Sequence, residues 1–184
     1  MIKANRFDPA EIVKRFDEYL TKNKTHFEAV VVGAGALTLM KILNRRTIDI
    51  DILDPKIPPK IKDLAAKFRI EMETEGISME EHWINNGADF LLEHLPKGWR
   101  KRTQTFYKGK GLTLHTIGRA DQIKTKLWGF CHLRGHDKDA LIALKTTLVE
   151  LDEAQVWVLA RENTPFWPEI VERHVNEIRK ALAI

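Results

Sequence analysis

The 184-residue chain holds a single cysteine, which excludes an intramolecular disulfide framework and fits a reducing compartment. No apolar run approaches the roughly 20 residues needed to cross a bilayer. The N-terminus also lacks the apolar centre of a signal peptide. Together these absences imply a cytoplasmic protein with no membrane partner. The seven histidines show no metal-ligand spacing. His82, His115, His132 and His136 are scattered, and Gly135 interrupts the one pair that stands four residues apart, which argues against structural zinc. There is no internal repeat and no low-complexity linker. What remains is 43% hydrophobic residues, enough for one domain or for a core with a small helical appendage. The net charge of +4 and pI near 9.1 are mildly basic.

The most informative stretch lies near the N-terminus. Residues 28–33 read as a buried strand ending in glycine, and residues 36–43 read as the helix that follows. Residues 46–53 (Arg-Thr-Ile-Asp-Ile-Asp-Ile-Leu) are β-branched and strand-like. Residues two apart on a strand share a face, so Asp49 and Asp51 stand side by side. At Cα separations of roughly 6–7 Å two carboxylates repel by about 2–3 kcal/mol at an effective dielectric near 20. Solvation, protonation or a cation relieves that repulsion. Mg²⁺ is suited to it, because it takes one or two carboxylates and completes its shell with water and substrate phosphates. A tight strand–glycine–helix junction at Gly33, Ala34 and Gly35 offers backbone N–H groups to such a phosphate. The combination suggests a metal–nucleotide site.

This arrangement resembles the nucleotidyltransferase superfamily related to DNA polymerase β. Its small members carry a Gly-Gly or Gly-Ser turn, a helix, and an Arg-x-Thr-x-Asp-x-Asp strand. Gly33 and Ala34 stand at the turn, with Gly35 offering a second register. Arg45 or Arg46, Thr47, Asp49 and Asp51 match the strand. A second segment, Asp121-Gln-Ile-Lys-Thr-Lys126-Leu followed by Arg134 and Asp137-Lys138-Asp139, is similar to one found in abortive-infection toxin-like nucleotidyltransferases and in an uncharacterised stand-alone bacterial family. The resemblance spans about residues 28–160. It implies that Asp49 and Asp51 bind Mg²⁺ or Mn²⁺, and that the Gly33–Gly35 turn, with Arg46 and Thr47, holds an NTP such as ATP. It also implies that Lys126 and Asp139 complete the catalytic set, with Lys126 neutralising phosphate charge and Asp139 orienting it or acting as base. Polymerase-type relatives use a third strand carboxylate. The candidate strand here, Leu-Thr-Leu-His115-Thr, has none, which favours the toxin-like variant.

The fold class implied is α/β (α+β): a small mixed sheet with flanking helices as a nucleotidyltransferase core over residues 1–118, and a helical segment over residues 119–184 that packs on it and completes the cleft. Ile12, Val13, Phe16 and Leu20 give residues 9–22 an apolar helical stripe. Pro55, Pro58 and Pro59 interrupt the chain before a helix at residues 61–68. Asn85-Asn86-Gly87 marks a turn before a helical stretch to Leu95, and residues 103–108 and 112–117 read as a hairpin. On the wheel of the helix after Ala120, Ile123, Leu127, Phe130 and Leu133 form an apolar arc with Lys126 inside it. Lys126 therefore snorkels or reaches an acidic partner. Cations crowd residues 97–110 with Trp99, Phe106 and Tyr107 among them, a pattern able to stack bases and bind the phosphates of an RNA acceptor; solvated edge strands explain it as well.

The expected function is Mg-dependent transfer of a nucleoside monophosphate from an NTP to an acceptor hydroxyl on RNA, protein or a small molecule. Two alternatives stand beside it. One is a nucleotide- or RNA-binding module that has lost catalysis. The other is an interaction protein of toxin–antitoxin type with a cognate partner protein.

Overall fold

The computed structural model describes residues 6–184, which divide into two compact units, one ending at Ile117 and one beginning at Gly118. In the first, α1 (Pro9–Lys22) begins where the Asp8 side chain accepts from the Ala10 N–H at 2.9 Å and Pro9 presets the first turn. Its buried stripe is Ile12, Val13, Phe16 and Leu20, as the spacing requires. Strand β1 (Phe27–Val32) then runs into α2 (Gly33–Leu39), β2 (Ile50–Asp54) and α3 (Pro59–Thr74). A two-residue strand β3 (Ile84–Asn85) and two single 3₁₀ turns (Asp89–Glu93 and Trp99–Arg102) lead to the hairpin β4 (Gln104–Lys108) and β5 (Leu112–Thr116).

The five strands form one mixed sheet in the order β3-β2-β1-β5-β4. β1 is antiparallel to β2 and parallel to β5. One face buries Phe27, Ala29, Val31, Ile50, Ile52, Leu112 and Leu114 against α1 and α3 around Phe16, Phe68 and Trp83. The other carries a smaller core in which Val32, Leu53 and Ile117 pack on Ala88, Leu95 and Trp99.

Several elements differ from the reading of the sequence. α2 begins three residues earlier than expected and stops at Leu39, because Lys41 adopts a left-handed conformation (φ 61°) in which the Lys41 and Ile42 N–H groups turn back to Thr38 and Leu37. That is a Schellman stop without its usual glycine. β2 starts at Ile50, not Arg46. The residues before it are held by a bridge between Thr47 and Phe7, so Asp49 precedes the strand. α3 runs on to Thr74, where Gly76 at φ 82° supplies the stop. The stretch after Gly87 is a 3₁₀ turn, not a helix.

The second unit is four helices: α4 (Arg119–Cys131), α5 (Gly135–Ala143), α6 (Leu148–Leu159) and α7 (Trp167–Leu182). α4 packs against the other three. The break before α6 was not apparent in the hydrophobic pattern; it is a capping box between Thr147 and Glu150. Among the described residues no helix is long and apolar enough to cross a membrane.

Candidate active site

The site begins with strand register. Val32, the last residue of β1, pairs with Asp51 of β2, and the chain turns into α2 at the next residue. Gly33 has φ 79°, a conformation that only glycine adopts at little cost. A Cβ placed on it would lie 2.7 Å from Asp51 Oδ2. Gly35, one half-turn later, faces the chain before β2, where a Cβ would lie 3.2 Å from the Asp49 carbonyl oxygen. Both glycines are therefore needed for close approach, and they bring the α2 turn against Asp49 and Asp51 together. The N-cap residue of α2, Val32, makes no side-chain cap to the first turn, whose N–H groups have no intrahelical partners.

Asp49 is half-buried. Burial pushes its carboxyl above the ordinary value, more than the neighbouring Thr47 hydroxyl pulls it down. Thr47 is itself buried, and its hydroxyl donates to the Asp49 carbonyl oxygen at 3.1 Å, fixing the entry to β2. Arg46, next to it, is exposed.

Asn85, which the sequence pattern places in a turn, is a neighbour of this site. It is the register partner of Asp51 across β2 and β3, and its Oδ1 accepts from the Gly87 N–H at 2.6 Å. A Cβ on Gly87 would stand 3.8 Å from Asp51 Oδ1. The Asp51 carboxylate thus lies between two glycines, one on each side. An Asx turn was legible in Asn85-Asn86-Gly87, but that it becomes a strand beside Asp51 is long-range information.

In the second unit Lys126 is mostly buried and its Nζ donates to Asp137 Oδ1 at 2.7 Å; the two side chains are 17% and 4% exposed. Gly129, one turn along α4, makes room: any Cβ there would overlap Asp137 Oδ2. The carboxylate that orients Lys126 is therefore Asp137, and not Asp139, which is exposed. The helical wheel missed this pair because Lys126 and Asp137 lie on two helices joined by a left-handed turn at Leu133 (φ 63°). Leu133 itself is 82% exposed, because α4 has ended before it and the apolar arc stops at Phe130.

The basic stretch of residues 97–110 looks different once folded. Lys97, Arg100, Lys101, Arg102, Lys108 and Lys110 are exposed, yet none of the three aromatics among them is. Trp99 is in the smaller core, and Phe106 and Tyr107 pack against the main one. The Tyr107 hydroxyl donates to Asp17 at 3.2 Å, and burial with that carboxylate pushes its pKa up to about 12. The cations form a charged surface without a base-stacking platform.

A family model described as a nucleotidyltransferase of unknown function (DUF6036) matches residues 10–174. The chain belongs to this family. The matched span takes in the α2 turn, Asp49, Asp51, Lys126 and Asp137, and leaves out only the chain ends. No curated protein and no solved structure gives a match. In this nucleotidyltransferase family member no group of three or more His, Cys, Asp and Glu side chains that could hold a metal occurs among the described residues. Asp49 and Asp51 supply two carboxylates, and the strand on either side of β2 presents Asn85 or valine.

Proposed function

We propose that this protein transfers a nucleoside monophosphate from an NTP to an acceptor hydroxyl, with Asp49 and Asp51 as the metal-binding pair, in the manner of polymerase-β-like and toxin-like nucleotidyltransferases. The observation that carries the reading is the close approach of Gly33 and Asp51: a Cβ on Gly33 would lie 2.7 Å from Asp51 Oδ2, so the carboxylate sits against the glycine turn that opens α2. The residues fit a hard divalent cation that arrives with its nucleotide. Two carboxylates alone leave most of an octahedral shell to water and phosphate oxygens, and the raised carboxyl of Asp49 is relieved by a neighbouring positive charge. When bound, Mg²⁺ or Mn²⁺ supplies neutralisation of phosphate charge and a lowered pKa for the attacking hydroxyl.

The chain's own residues do the rest. The N–H groups of Gly33, Ala34 and Gly35 hold phosphate oxygens that have shed water. Thr47 and its bridge to Phe7 keep Asp49 in place, and Arg46 extends the positive field toward the nucleotide. In the second unit Lys126 carries a cation whose direction Asp137 fixes, the kind of group that neutralises phosphate charge. Asp139, exposed and adjacent to Lys138, is the second unit's candidate for a base toward an acceptor proton.

The test is calorimetric. Binding of a non-hydrolysable NTP analogue to the parent should strengthen with Mg²⁺. Asp51→Asn should lose that increment while melting at the parental temperature or above, since a like-charge neighbour is removed. Equal affinity with and without metal in the parent would defeat the proposal.

A further inference from the structure

On the face of the sheet shared by Asp51, three side chains on three neighbouring strands form a chain of hydrogen bonds that the reading above does not use. Thr105 Oγ1 on β4 lies 2.9 Å from His115 Nδ1 on β5. His115 Nε2 lies 2.8 Å from Glu28 Oε1 on β1. A carboxylate can only accept, so the imidazole proton sits on Nε2 and Nδ1 is left to accept from the Thr105 hydroxyl. A hydroxyl, an imidazole and a carboxylate joined in that order are the parts of an activated nucleophile.

The backbone aims them. β4 and β5 pair Thr105 with His115 and Tyr107 with Leu114, so Phe106 is an extra residue in a bulge next to Thr105. Bulges re-aim side chains and occur beside active sites more often than chance. Thr105 is exposed on an edge strand, while His115 behind it is 20% exposed in its side chain. Exposed Arg100, Lys101, Arg102 and Lys108 flank it in the chain, the right charge to receive a polyphosphate.

We infer that Thr105 is itself an acceptor hydroxyl, nucleotidylated by a second copy of this chain. This rests on the activity proposed above and names its acceptor. Transfer within one copy is excluded by register. Asp51 and Thr105 are three strands apart, roughly 14 Å across the sheet at ordinary strand spacing, with the Leu95 and Trp99 side chains packed over Val32 between them. A nucleotide held at Asp51 does not span that gap with its α-phosphorus. In the step, Thr105 Oγ forms a bond to the α-phosphorus of the NTP. The bond from that phosphorus to the bridging oxygen breaks, and pyrophosphate leaves with the electron pair. The hydroxyl proton passes to His115 Nδ1, and Glu28 stabilises the resulting imidazolium. A threonine phosphodiester and pyrophosphate are the products.

The experiment pairs two variants. An Asp51→Asn chain, tagged to differ in size, serves as acceptor, and a Thr105→Val chain serves as donor, with Mg²⁺ and the four α-³²P NTPs. Label should appear on the Asp51→Asn chain, and mass spectrometry should place the nucleotide on Thr105. Adding Thr105→Val to the acceptor should remove the label and Thr105→Ser should keep it. Adding His115→Gln should slow it about 100-fold, as loss of a general base does, with melting curves recorded for each. A cross-strand network that only stabilises the hairpin predicts no label, or label indifferent to Thr105. If the Thr105→Val donor labels total RNA or protein extract but never the Asp51→Asn chain, the acceptor assignment fails and the activity stands. If the parent labels nothing, the activity fails and takes this inference with it.

Discussion

Gly33→Ala separates the part of Gly33 that belongs to folding from the part that belongs to the site, because Gly76 provides a matched control. Both residues have φ near 80°, and forcing an alanine into that region costs about 1–2 kcal/mol. Around Gly76 an added Cβ meets nothing within 4 Å, whereas at Gly33 it meets Asp51 Oδ2 at 2.7 Å. To restore ordinary contact the carboxylate must retreat by roughly 0.7 Å, and misplacement of about 1 Å at a reacting centre lowers rates by ~100-fold. Thermal melting should therefore show both variants lowered by about 2–8 °C for a chain of this size. Metal-dependent NTP binding and turnover should survive Gly76→Ala and fall at least ~10-fold in Gly33→Ala. Equal activity in the two variants would refute the claim that the Gly33–Asp51 approach is the working feature of the site.

Further outcomes follow from the same geometry. Lys126→Met should destabilise the protein by about 3 kcal/mol or more, since it strands the buried Asp137 carboxylate; the double change Lys126→Met with Asp137→Leu should recover most of that in urea unfolding, and a neutral single variant would contradict the pairing. Glu150 is held at about pKa 2 by the Arg119 guanidinium and the Thr147 cap, below its ordinary 4.5. Its contribution is therefore complete above pH ~4.5 and fades as pH falls toward ~2, so the stability gap between parent and Glu150→Gln should close across that window in pH-dependent melts; a constant gap would argue against it. Cys131, buried and with its thiol pushed up to about 12 by burial and the nearby Glu162, should alkylate only on unfolding, and rapid reaction of the folded protein with a maleimide would show the helix packing to be wrong.

Much of this fold was written in local pattern. Asp8-Pro9 and the stripe from Ile12 to Leu20 specify α1 without help from the rest of the chain, and the Lys-Gly-Lys-Gly between two β-branched runs specifies the hairpin. The glycine turn and the aspartate pair were legible because close backbone approach and paired carboxylates each need particular residue types at fixed spacing. What escaped was set by distant partners. Asn85 joins the sheet because β2 is there to pair with it. Asp137 outcompetes Asp139 for Lys126 because Gly129 and a left-handed turn at Leu133 bring two helices together. Trp99, Phe106 and Tyr107 resemble a stacking surface in one dimension, but a bulge at Phe106 lets both strand aromatics pack against the main core, and the second small core on the far face of the sheet takes Trp99. The Thr105–His115–Glu28 chain crosses three strands and has no signature in sequence order.

The most direct measurement compares ATP labelled at the α-phosphate with ATP labelled at the γ-phosphate, each incubated with the protein, Mg²⁺ and an extract of total RNA and protein. Nucleotidyl transfer at Asp49 and Asp51 predicts macromolecular label from the α-labelled nucleotide only, pyrophosphate released in step with it, and neither product from Asp51→Asn. Label arriving from the γ-phosphate, or α-label transfer undiminished in Asp51→Asn, would contradict the account.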